Sequence, residues 1–286
     1  MRLEYRILNV FTTAGARISG NPLCVFEDGS ALDSATMQAL ARQFNLSETT
    51  FLLPATHAGR ERGAVAQVRI FTPSYEMPFA GHPTLGTAHV CRALGLGSDK
   101  LALEMQVGVI AVTARGDHWT LQAAPATWRE LDVPRAELAD LLGIDAADID
   151  ERPLWVKAGK EQLIVPLTSE AAVRRVAPQP QLFQRVVSED GVGMAYVFAA
   201  TGGNTVLARF FFPNGPSVLE DPATGSATAN FGGWCLAMQR PLPQRLEISQ
   251  GEHADRPSTL QLHVDHERRI FVGGGVVALA SGTLEL

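Results

Sequence analysis

With 286 residues, 46% of them hydrophobic and 19% charged, the chain carries enough apolar material for a large core, which excludes an intrinsically disordered protein. Its 30 acidic and 24 basic side chains leave a formal charge of -6, and the basic ones gather into no stripe, which argues against a nucleic-acid surface. Two domains of about 140 residues are the natural division.

Tyr5 to Phe11 alternates and predicts a first strand, and Leu23 to Phe26 a second, joined by a loop with Gly20-Asn21-Pro22. Asp33 or Ser34 can cap a helix through Met37, Leu40, Ala41 and Phe44, which stops at Asn45-Leu46-Ser47-Glu48. Thr49 to Leu53 and Val65 to Phe71 follow as strands, so Glu48 falls at a helix-to-strand junction. Pro83 in the first helical positions, after Ala80-Gly81-His82, predicts a helix from His82 to about Leu94, entered abruptly from a strand. Glu104 to Thr113 and His118 to Ala123 suggest a hairpin or meander, and DVPRAELADLLG a helix around Pro134 to Leu142.

The second half repeats the order. Gln162 to Leu167 predicts a strand, Glu170 to Arg185 a helix or loop, and Gly193 to Ala200 and Val206 to Phe212 two more strands. A second helix rich in small residues begins near Thr224, and Leu246 to Gln250, Thr259 to Val264 and Arg269 to Ala280 are strand-like. Arg69-Ile70-Phe71-Thr72-Pro73 lines up with Arg209-Phe210-Phe211-Phe212-Pro213, and at the same offset Thr84 lines up with Thr224, as in a duplicated unit. The pattern is α+β, with more sheet than a nucleotide-binding βαβ protein, and the glycines at 273, 274 and 275 do not match a dinucleotide fingerprint. The crossover between halves is expected near residues 120 to 130, giving domains 1–125 and 126–286, with the C-terminal strand a candidate to return to the first.

Three side chains stand out for chemistry. Glu48 leads straight into an apolar strand, and a partly buried carboxylate there is a usable general acid or base. His82 opens the first central helix, where the helix field disfavours an imidazolium, and Asp221 precedes the second. The helix starts at Gly81-His82 and Gly225-Ser226 offer N–H groups to an anion, so a small carboxylate substrate fits if the two halves face each other across one cleft. Each residue also has an ordinary structural use, as a loop carboxylate, a satisfied histidine, a turn aspartate or packing glycines. His253, His263 and His266 scatter over both faces of strand-like segments and make no metal site. Cys24, Cys91 and Cys235 are widely spaced in apolar surroundings, without metal or disulfide spacing, which points to a reducing cytoplasm. MRLEYRILNVFTT has no signal-peptide core, no apolar run reaches membrane-spanning length, and no membrane association is expected.

GNP at Gly20 to Pro22, NLSETTF at Asn45 to Phe51, RIFTPSYEMPFAGHPTLGTA at Arg69 to Ala88, RFFFP at Arg209 to Pro213, EDPATGSA at Glu220 to Ala227, DRPS at Asp255 to Ser258 and VGGG at Val272 to Gly275 span the chain. Together they resemble the PhzF-like family of phenazine biosynthesis, whose fold is that of diaminopimelate epimerase. The resemblance implies two pseudo-symmetric domains, each a rolled, mostly antiparallel sheet around a central helix, in a homodimer. It implies isomerisation of trans-2,3-dihydro-3-hydroxyanthranilate by acid/base proton transfer, without cofactor or metal. The family's catalytic glutamate, histidine and aspartate fall on Glu48, His82 and Asp221, and its backbone donors on Gly225 and Ser226. Related epimerases and racemases place a cysteine before each central helix; Ala80 and Thr224 stand there here, so two-thiol racemisation is not expected. Thr228-Ala229 and Asp255 depart from the family pattern, which touches the choice of substrate more than the chemistry. The alternatives are an epimerase of another small amino or hydroxy acid and a non-catalytic small-molecule-binding member of the fold.

Overall fold

The Asp33 carboxylate accepts the Thr36 N–H at 2.8 Å and so starts the first helix, which Asn45 ends in the left-handed conformation at φ 50°. In this computed structural model, which describes all 286 residues, that helix runs Ser34–Phe44 and buries Met37, Leu40 and Ala41 on one face.

The elements of the first half are β1 (Arg2–Thr12), β2 (Asn21–Phe26), α1 (Ser34–Phe44), β3 (Glu48–Leu53), α2 (His57–Glu61) and β4 (Ala64–Phe71). They continue with β5 (Glu76–Met77), α3 (Gly81–Ala93), β6 (Lys100–Met105), β7 (Gly108–Arg115) and β8 (His118–Gln122). Then come β9 (Thr127–Glu130), α4 (Arg135–Leu142), β10 (Leu154–Lys157), β11 (Glu161–Pro166), α5 (Glu170–Arg175) and α6 (Pro180–Phe183). The last are β12 (Ala195–Gly202), β13 (Thr205–Asn214), β14 (Ser217–Asp221), α7 (Gly225–Ala237), β15 (Gln244–Gln250), β16 (Ser258–Val264) and β17 (Ile270–Glu285). The hairpin or meander expected over Glu104 to Thr113 and His118 to Ala123 is the antiparallel run β6, β7 and β8, in which the chain turns at Gln106-Val107. The short α2, β5, β9 and β14 had no periodicity long enough to announce them.

Two compact units result: Met1–Gln122 with Gly273–Leu286, and Ala123–Val272. In the first, pairing runs from β17 to β1, β2, β3, β4, β6, β7 and β8, and β8 pairs with β17 again, so the strands encircle α3. Only β2–β3 and β4–β6 are parallel. In the second, β9, β10, β11, β12, β13, β15 and β16 pair in that order, again with two parallel pairs, β11–β12 and β13–β15. There α7 packs against β9, β10, β11 and β16. Both central helices are buried on nearly every side, which explains their small residues and lack of a polar face. A Cβ on Gly86 would stand 2.5 Å from Leu23 Cδ2 and 3.0 Å from Val10 Cγ2, so a larger residue here would force those side chains to move.

Strand alternation sets two layers. In unit 1, Cys24, Phe26, Phe51 and Phe71 face outward to α1, while Thr50 faces α3 and its hydroxyl lies 2.8 Å from that of Thr87. In unit 2, Leu163, Val165, Val197 and Phe211 face outward to α4, α5 and α6, and Tyr196 faces α7 against Phe231.

The repeat is real, but its predicted offset needs a correction. Phe71 opposes Glu76 in unit 1, and Phe211 opposes Glu220 in unit 2; Arg69 pairs with Glu76 and Arg209 with Glu220. The first ion pair spans seven residues and the second eleven, so the β13–β14 hairpin holds four extra residues. Beyond that insertion the equivalences shift by four: Thr224 takes the place of Ala80, Thr228 that of Thr84, and Ser226 that of His82.

An ion pair on the outward face of unit 2 carries a pH prediction. Arg129 Nε and Nη2 each donate to the Glu161 carboxylate at 2.9 Å, and the Glu189 N–H donates at 2.7 Å. Burial pushes this carboxyl up, but the Arg129 fork and the Glu189 N–H outweigh it and hold it below the ordinary glutamate value of 4.5. A depressed folded-state pKa adds stability above the unfolded value and loses it as pH falls through the folded one. Urea unfolding should therefore show wild type more stable than Arg129→Met at pH 7, with the gap closing below pH 4.5. A gap that is constant with pH would rule out the coupling.

Candidate active site

Glu48 is the first residue of β3, placed by the tight α1-to-β3 connection through Asn45-Leu46-Ser47. Alternation puts it on the same inward face as Thr50, toward α3. His82 is the second residue of α3, and its Nε2 lies 3.0 Å from Glu48 Oε2, with the two side chains only 7% and 15% exposed. The two atoms are close without lining up as a hydrogen bond, and neither has another partner. That separation is within proton-transfer reach, and such pairs often align only when substrate is bound.

Both central helices start without a side-chain cap. Ala80 has no side chain able to cap α3. Thr224 is able to cap α7, but its hydroxyl donates to Asp221 Oδ2 and accepts from Gln250 Nε2 at 3.0 Å. The N–H groups of the first turns, at Gly81-His82 and Gly225-Ser226, are left without intrahelical partners and without side-chain caps. Positive helix ends of this kind suit a carboxylate.

Unit 1 thus gathers Glu48, His82 and Gly81, and unit 2 gathers Asp221, Gly225 and Ser226 at the start of α7. Asp221 ends β14, and Gln250 holds its place by donating to its backbone carbonyl at 2.9 Å while accepting the Thr224 N–H at 3.3 Å. Sequence reasoning missed Gln250 and Gln162, the second of which donates to Ser226 Oγ at 3.0 Å. Glutamine titrates nowhere and belongs to no short motif; a buried position at the inward face of a strand was the only signal available.

No cluster of three or more histidine, cysteine, aspartate or glutamate side chains forms a metal-ligand set. The three cysteines are buried; burial alone pushes the Cys24 thiol far up and that of Cys91 up to about 12, and it dominates at Cys235, also up to about 12. None stands beside Glu48 or at a helix start as a nucleophile would. No helix is long and apolar enough to cross a membrane.

A family model described as phenazine biosynthesis-like protein matches residues 8–282. The chain belongs to this family. As a member it is 38% identical over 285 residues to a Pasteurella multocida protein named an uncharacterized isomerase, covering 98% of this chain and 93% of that one. It is 35% identical over 301 residues to the trans-2,3-dihydro-3-hydroxyanthranilate isomerase of Pseudomonas chlororaphis, covering 99% of each. The phenazine biosynthesis-like family is thus one of isomerases acting on small molecules. A PhzF-family structure from Bacillus anthracis superposes with a TM-score of 0.86 over the whole of both chains at 22% identity, a likeness of fold. A hydroxyproline epimerase from Agrobacterium vitis superposes at 0.66 and 14% identity, covering 100% of this chain and 93% of that one. The expected α+β, diaminopimelate epimerase-like fold is the one observed.

Proposed function

We propose that the chain is a cytoplasmic, homodimeric, cofactor-independent isomerase that moves a proton within a small cyclic carboxylic acid, with trans-2,3-dihydro-3-hydroxyanthranilate the first substrate to test. The observation that carries this reading is the buried Glu48 carboxylate 3.0 Å from His82 Nε2. Glu48 removes a proton from a ring carbon made acidic by the adjoining unsaturated system, leaving a delocalised anion. The same proton returns to another carbon of that system, from Glu48 directly or through His82, so the formula of the substrate is unchanged. In unit 1 His82 holds an amino or hydroxyl group and the Gly81 N–H the charge that develops; in unit 2 Asp221 offers a second such partner, and the N–H groups at Gly225 and Ser226 bind a carboxylate.

The internal repeat favours this over a symmetric two-base epimerase. Glu48 lies opposite Leu23 on β2; in unit 2 the β11–β12 register, which begins with Leu163 opposite Ala195, carried back one residue sets Met194 against Gln162. Met194 cannot take a proton, so unit 2 has no counterpart of Glu48, and Ala80 and Thr224 occupy the places of the two racemase thiols.

Incubation of the protein with trans-2,3-dihydro-3-hydroxyanthranilate in deuterated water, followed by proton NMR, tests the reading. The expected result is a shifted double-bond pattern, with at most one deuterium at the reprotonated carbon. An unchanged spectrum with no exchange would refute it. Exchange at one carbon without double-bond migration would move the activity to the epimerase class.

A further inference from the structure

The equivalence between the units exposes a paired difference behind the proposed site. In unit 1, Leu23 packs on Gly86 of α3. In unit 2 the same two places are held by Gln162 and Asn230, two amides only 2% and 0% exposed. An apolar contact in one copy has become a hydrogen-bonded pair in the other, and the pair leads to Ser226.

Two backbone groups set the direction of that chain. The Ala158 N–H donates to Asn230 Oδ1 at 2.6 Å, so Asn230 Nδ2 must face the other way. It donates one hydrogen to the Lys160 carbonyl at 2.9 Å and the second to Gln162 Oε1 at 2.7 Å. Gln162 therefore turns its Nε2 to Ser226 and donates to Oγ at 3.0 Å. A hydroxyl that accepts from the protein on one side keeps its own proton for a partner on the other. Ser226 is half-buried at the open first turn of α7, so that proton is directed where a ligand would lie.

We infer that Gln162 and Asn230 are positioning residues that fix the Ser226 hydroxyl as a hydrogen-bond donor, so that this point of the site selects an acceptor group, a carboxylate or carbonyl oxygen, and rejects an ammonium. The inference rests on the substrate-binding role of Ser226 proposed above. It adds a specificity element that the Glu48–His82 pair lacks, and it places the acidic end of the substrate at α7.

Gln162→Glu tests it. The variant keeps the shape and can still accept from Asn230, but it presents a carboxylate oxygen to Ser226, whose proton must then turn inward. The probe is 3-hydroxyanthranilate, an aromatic carboxylate that matches the proposed substrate and has no saturated carbon to deprotonate. Calorimetry should show its affinity weakened by about tenfold or more, the usual effect of a lost hydrogen bond to a charged group. KM for dihydrohydroxyanthranilate should rise by a larger factor than kcat falls. Gln162→Met, similar in volume but without polar atoms, leaves the hydroxyl free to turn and should bind the probe with intermediate affinity. The Ser226→Ala/Gln162→Glu double variant should bind no more weakly than Ser226→Ala alone. Wild-type affinity in folded Gln162→Glu overturns the relay while the proposed function stands; if that variant does not fold, wild-type affinity in Gln162→Met does the same. A wild-type protein that neither binds the probe nor isomerises the substrate overturns the proposed function, and the relay with it.

Discussion

Glu48→Gln is expected to lower kcat for dihydrohydroxyanthranilate isomerisation by about 10³-fold, roughly 4 kcal/mol of barrier, with little change in KM. Glutamine has the same size and fits the same inward position on β3, so the fold and the contact with His82 Nε2 should survive. What is lost is the only group in this pair able to take a proton from carbon as an anion. The measurement is steady-state kinetics alongside solvent deuterium incorporation, with the melting temperature as a check that the variant is folded. His82→Asn should lose less, about 10–100-fold, because it removes a relay and an anchoring group but leaves the base. A folded Glu48→Gln enzyme within tenfold of wild type would remove Glu48 from the chemistry and require another base.

The second large effect concerns stability, and the repeat supplies its own control. Arg209 forks onto Glu220 at 2.7–3.2 Å, lies with its Cζ 4.8 Å from the centroid of the Phe211 ring, and donates to the carbonyls of Val173, Arg174 and Val176 at the end of α5. The side chains of this pair are 9% and 12% exposed. Arg69 makes the equivalent fork onto Glu76 over Phe71, but those side chains are 22% and 24% exposed and Arg69 caps no helix. Arg209→Ala leaves a carboxylate buried without its partner and three helix-end carbonyls without their donor, for a loss of about 3–5 kcal/mol. Arg69→Ala should lose only about 1 kcal/mol, since water can reach the carboxylate left behind. Calorimetric melting should show the first variant lower by on the order of 10 °C and the second by a few degrees. Equal losses would mean that burial does not separate the two copies.

Much of this architecture was legible in the chain. The helix from Ser34 was readable because its cap, its apolar spacing and its left-handed Asn45 are all local. Arg69 to Phe71 and Arg209 to Phe211 were readable as repeats because a strand with a conserved internal pattern keeps its register along the sequence. The offset beyond them was misread because the four extra residues of the β13–β14 hairpin alter no local pattern. They show only in which glutamate each arginine meets. The meander over Glu104 to Ala123 was legible from its alternation, although its first strand begins earlier, at Lys100, and turns back at Gln106-Val107.

The candidate site divides along the same line. Glu48, His82, Asp221 and the two helix starts were identifiable from residue type and short motifs, because acid/base groups and open helix ends are properties of a few adjacent residues. That Glu48 and His82 lie 3.0 Å apart follows from strand alternation and from α3 running inside the sheet, and no stretch of sequence contains both facts. Gln162, Asn230 and Gln250 carry no charge and sit far from Ser226 and Asp221 in the chain, so only packing could bring them to the site. By itself, then, the sequence determined the chemistry available, since ionisable groups, caps and helix starts are local. The tertiary structure decided which groups share a proton and which way a hydroxyl points, because both depend on distances set by strand register and helix position.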